Sequence, residues 1–101
     1  MVLYASKTED GFLLSITPSH LCLFDSMGQE VLRLALLDIG RVLGKNGISS
    51  SNILTVETTE RKYTFSFEQI VVVQTMKRLI RYHKDKQVGY LDFTWKIFIF
   101  G

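Results

Sequence analysis

The chain has 101 residues, enough for one domain with a single core and too few for two. Hydrophobic residues make up 47% and charged residues 22%, a balance that argues against a disordered chain. A net charge of +2 argues against a dedicated polyanion binder, so no nucleic-acid partner is expected.

The single cysteine, Cys22, permits no intramolecular disulfide and leaves too few ligands for a structural zinc. A cytoplasmic setting, with some association with membranes allowed, is the simplest expectation. There is no run of about 18 apolar residues to span a bilayer. The opening MVLYASKTEDG lacks the basic-then-apolar order of a signal peptide.

Most of the first two-thirds of the chain alternates with a period of two and reads as strands. Val2–Ser6 is a short first strand, closed by the polar turn Lys7–Gly11. Phe12–Thr17 follows, with Phe12, Leu14 and Ile16 on one face. Pro18 ends it, because proline cannot donate to a ladder. His20–Phe24 is the next strand, and Asp25-Ser26-Met27-Gly28 is a turn. Val31–Leu37 has helix-forming residues, but its length and its place between turns favour a strand. Asp38-Ile39-Gly40 reads as a corner, Arg41–Gly44 as a short strand and Lys45–Ser51 as a loop. Asn52–Thr58 and Lys62–Phe67 alternate cleanly and form a hairpin through Thr59-Glu60-Arg61.

Ser66–Lys84 is the one stretch with helical spacing. Ile70, Val73, Met76, Leu79, Ile80 and His83 recur at three- and four-residue steps, with Val72 beside them. Ser66 and Gln69 have the spacing of a capping box. Val71-Val72-Val73 is a poor local helix former, so burial must hold that turn. A lone amphipathic helix after short strands needs a sheet to bury its apolar side.

The tail Gln87–Gly101 is rich in aromatics and β-branched residues. Phe93–Phe100 reads as a strand with Trp95, Ile97 and Ile99 on one face. Such a segment free in water would aggregate, so it is expected to dock. Residues 1–86 then form the domain and 87–101 an apolar tail. The tail folds back as a cis ligand along Arg41–Asn46, swaps into a neighbour to make a dimer, or simply packs on the domain.

Seven short strands followed by one helix resemble the pleckstrin-homology-like superfold: α+β, mainly β, a bent barrel closed by a C-terminal helix. The likeness is nearest to the third lobe of FERM domains and to phosphotyrosine-binding domains. GFLLSITPSHLCLFDSMGQEVLRLALLDIGRVLG is similar to the second to fifth strands, with Asp38-Ile39 as the acidic-isoleucine pair before the fifth. NILTVETTERKYTFSF is similar to the final hairpin. Where those modules often carry an aromatic before the pair, this chain has Leu36-Leu37.

The resemblance implies a noncatalytic module for scaffolding, trafficking or signalling. It would bind an extended protein segment as an added strand beside the helix. Carried over by position, the peptide-binding residues are Arg41, Val42, Leu43, Lys45 and Asn46 on the strand. Gln69, Val72 and Met76 face them on the helix, with Leu79 or His83 further along. Val72 and Met76 read more readily as core than as the rim of a groove.

Lys77, Arg78, Arg81, Lys84 and Lys86 are the densest basic cluster. They suit the end of a helix dipole as a solvated face. A rival reading makes them an anion- or lipid-binding set on an anionic membrane. A third makes the chain a structural lobe of a larger protein. The loop Lys7–Gly11, with two carboxylates beside one lysine, is a poor phosphate cradle. His20 and His83 lack metal-ligand spacing, and no nucleophile context or glycine-rich phosphate loop is present. No enzyme activity, cofactor or metal is expected.

Overall fold

A computed structural model describes residues 1–46 and 52–100, with side chains described through residue 89. Strands β1 (Tyr4–Lys7), β2 (Leu13–Ile16), β3 (His20–Phe24) and β4 (Glu30–Ala35) form an antiparallel sheet in chain order. Strands β5 (Ile39–Asn46), β6 (Asn52–Thr58) and β7 (Lys62–Phe67) form a second antiparallel sheet, again in order. Helix α1 (Ile70–Phe100) follows the last strand. The chain is therefore α+β and mainly β, with one C-terminal helix.

Local chemistry explains the turns. The Asp25 carboxylate accepts the N–H groups of Met27 and Gln29, both at 2.9 Å, and Gly28 takes a positive φ of 81°. This closes β3 onto β4. Val31–Leu37 divides: its first part extends β4, while Leu36–Asp38 forms a 3-10 turn. Leu36 is fully buried, and its N–H donates to Ser19 O at 2.9 Å. Burial of this one side chain turns the strand from the first sheet into the second. The strand assigned to Arg41–Gly44 is longer than expected, taking in Ile39 and Gly40 before it and Lys45 and Asn46 after. Residues 47–51 of the expected loop lie outside those described.

The expected bent barrel is corrected to two unclosed sheets. At one corner, a backbone bond from Glu9 N to Ser66 O, 2.8 Å, ties the first sheet to β7. At the other, the 3-10 turn redirects the chain between β4 and β5, which do not pair. The core lies between the sheets and under the helix. Leu14, Ile16, Leu54, Val56 and Phe67 are fully buried, as are Val73, Met76 and Ile80 of α1. Those three helical positions have the spacing of one apolar stripe. Val71, outside that stripe, is 53% exposed, so Val73 anchors the β-prone turn.

Two helix expectations change. Ser66 caps nothing: it remains in β7 opposite Ile53, and α1 begins four residues later. Asn52 Nδ2 instead holds the strand-to-helix bend, donating to Glu68 O at 3.1 Å. The strand expected at Phe93–Phe100 is helix, because α1 continues to Phe100. A helix already nucleated gains a local backbone bond with each added residue, whereas a strand needs a partner edge. The chain's single proline is Pro18, so none interrupts the extension. Among the described residues β5 pairs with β6 alone, so no tail strand lies on Arg41–Asn46.

Candidate interaction site

β5 is an edge strand, and its backbone polarity follows from the hairpin next to it. Thr58 N donates to Arg61 O at 2.8 Å, so the backbone groups of Thr58 face β7. Antiparallel alternation then turns those of Glu57 and Thr55 toward β5. Their partners Arg41 and Leu43 therefore bond to β6. Val42 and Gly44, between them, aim N–H and C=O at the unpaired side.

α1 runs alongside this edge in the opposite direction, as three contacts in reverse order establish. Gly44 lies beneath Val73 and Lys77: a Cβ on the glycine would stand 2.9 Å from Val73 Cγ1 and 3.7 Å from Lys77 Cδ. Arg81 Nη2 donates to Val42 O at 3.1 Å. Lys84 Nζ donates to Ile39 O. Moving back along β5 is thus moving forward along α1. The two cations occupy carbonyls that an added strand would use, a known way of protecting a sheet edge.

Beside these contacts is a cleft of about 310 Å³ between Ile39–Val42 and Ile80, Arg81, Lys84 and Asp85. It brings together only part of the expected peptide site. Arg41 and Val42 line it. Gln69 and Val72 line a different cleft, of about 390 Å³, with Ser6–Thr8 and Phe67. Met76 is fully buried and belongs to the core. Leu43 is half-buried, while Lys45 and Asn46 are exposed near the end of β5.

The basic cluster is divided as well. Lys77, Arg78 and Arg81, with Gln74, surround a shallow depression on the exposed face of α1. Arg81 borders both this depression and the cleft. Lys84 faces β5, and Lys86 Nζ sits 4.9 Å from the centre of the Tyr82 ring, a cation–π contact.

Sequence reading missed Ile39, Gly40, Ile80 and Asp85 as cleft residues, and Gly44 as the point of closest approach. Gly44 carried a usable signal, since glycine within a strand often marks a neighbouring backbone or element packed close.

Other reactive groups have ordinary settings. Cys22 is buried, and that burial chiefly pushes its thiol pKa upward. His20 Nδ1 pairs with Ser19 Oγ at 2.7 Å, and His83 meets Tyr82 edge-on. Among the described residues no group of three or more His, Cys, Asp or Glu is placed to hold a metal. Among them, too, no helix is long and apolar enough to cross a membrane. The sequence matches no protein-family model and no curated protein.

Proposed function

We propose that the chain is a pleckstrin-homology-like interaction module without catalytic activity, and that it takes an extended peptide along β5 beside α1. The observation that carries this reading is the outward backbone of Val42 and Gly44 on an edge strand, with a cleft next to it. Main-chain pairing would supply affinity, and side-chain contacts with α1 would supply selectivity. The test is selection of extended peptides from a random display library against the full chain, followed by amide hydrogen exchange. New protection is expected at Val42 and Gly44. Selected peptides that protect other regions and leave β5 unchanged would overturn the reading.

A second reading draws on the depression surrounded by Lys77, Arg78 and Arg81. Three cations on one solvent-facing surface suit adsorption to an anionic membrane. Sedimentation with vesicles containing phosphatidylserine would detect it, and binding should fade as salt is raised.

A further inference from the structure

We infer that the peptide partner of the β5 edge is acidic, with carboxylates at alternate positions. The inference rests on the peptide-binding reading and adds the chemistry of the ligand.

The cleft is lined by three cations, Arg41, Arg81 and Lys84, against one carboxylate, Asp85. Arg81 and Lys84 each have a described bond to one β5 carbonyl. A guanidinium has five N–H donors and an ammonium three, so each retains donors beyond that bond. A strand entering beside β5 needs the Val42 carbonyl, which Arg81 covers. A neutral peptide would have to displace the guanidinium and could offer it only a neutral carbonyl acceptor. An acidic peptide makes an exchange: its N–H takes the Val42 carbonyl, and its carboxylate takes the released cation. Charge-assisted hydrogen bonds are about twice as strong as neutral ones, so the exchange favours the carboxylate. A basic peptide meets repulsion at the same place.

Spacing sets the pattern. The side of β5 that carries Val42 and Gly44 faces α1, since a Cβ on Gly44 would point at Val73. A strand added in the same sheet directs every second side chain to that face, about 6.7 Å apart. Along α1, Lys77 and Arg81 are separated by four residues, a rise of about 6 Å. From Arg81 to Lys84 the rise is about 4.5 Å, within reach of a flexible lysine. Helix and strand run side by side, so the two periodicities keep step over two or three carboxylates. Lys77 belongs to this row because its Cδ lies near Gly44.

The test uses fluorescence anisotropy of the full chain with three labelled peptides. They alternate threonine with glutamate, glutamine or lysine. The glutamate peptide should bind at least about tenfold more tightly than the glutamine peptide, the fold-change expected for one or two charge-assisted bonds. The lysine peptide should bind most weakly. In the double variant Arg81→Gln, Lys84→Gln, the glutamate peptide should lose that advantage and the glutamine peptide should bind as well or better. Circular dichroism checks that the variant is folded, and Arg33→Gln, on β4 of the other sheet, serves as a folded control with unchanged binding.

If glutamate and glutamine peptides bind equally and both protect β5 amides, the acidic preference is wrong and the peptide reading stands. If no peptide protects β5, both are wrong. If phosphatidylserine vesicles compete away the glutamate peptide while β5 amides stay unprotected, the cations serve a membrane and the inference is overturned.

Discussion

Gly44 and Val73 are in contact across the β5–α1 boundary so closely that no side chain fits between them. A Cβ on the glycine would meet Val73 Cγ1 at 2.9 Å. Val73 is fully buried and β-branched, so its methyl has little freedom to retreat. Gly44→Ala should therefore destabilise the protein by about 1–3 kcal/mol, as overpacking does. Val73→Ala alone should also cost about 1–3 kcal/mol by leaving a cavity. Combined, the two should cost clearly less than their sum, because the truncation makes room for the added methyl. Urea unfolding midpoints of the four proteins would decide it, and strict additivity would refute the contact.

Arg81 and Lys84 guard the exposed edge of β5 through Val42 O and Ile39 O. Replacing each with methionine should cost about 1 kcal/mol, the usual net value of a lost hydrogen bond. The double replacement should also promote edge-to-edge association. Sedimentation velocity would report it as a concentration-dependent shift toward dimer, absent in the parent.

Cys22 makes stability depend on alkaline pH. Burial, reinforced by Glu30 and opposed by Arg33, raises its thiol pKa above the ordinary 9.0. The native state thus holds the thiol proton more tightly than the unfolded chain. This group has no effect on stability well below pH 9.0. Its contribution then turns unfavourable as pH rises through that value, and levels off above the raised native pKa. The stability difference between the parent and Cys22→Ala should shrink from neutral to alkaline pH. A difference that stays constant in denaturant titrations across that range would contradict it.

The helical path of the tail has a direct spectroscopic consequence. Removing residues 88–101 should reduce the helical part of the far-ultraviolet circular dichroism signal and leave the sheet part intact. Because no described residue of the tail pairs with β5, the truncation should not improve binding of an external peptide. A gain of several-fold in affinity would restore the idea of a tail folded back along the edge.

The exposed pair of Arg33 and Glu30, 2.6 Å apart, should matter little. Arg33→Ala is expected to leave stability close to that of the parent, and any small loss to vanish in high salt. A larger loss in thermal unfolding would indicate a second role for this pair.

The elements with short-range causes were legible from residue order. β3, β6 and β7 have the expected bounds, because alternation and bounding turns act within a few residues. The stripe Val73, Met76 and Ile80 was equally plain, since helical periodicity is a property of one segment. Three features depended on partners distant in the chain. Ser66 looked like a cap but is held in β7 by its register with Ile53. Phe93–Phe100 has strand-forming residues, yet its backbone extends a helix already anchored by Val73, Met76 and Ile80. The expected peptide groove separated into two clefts because Met76 went into the core and α1 closed down on Gly44. Periodicity says which face of an element is apolar. How far apart two elements come to rest, and which carbonyls their cations reach, is settled only when the faces pack.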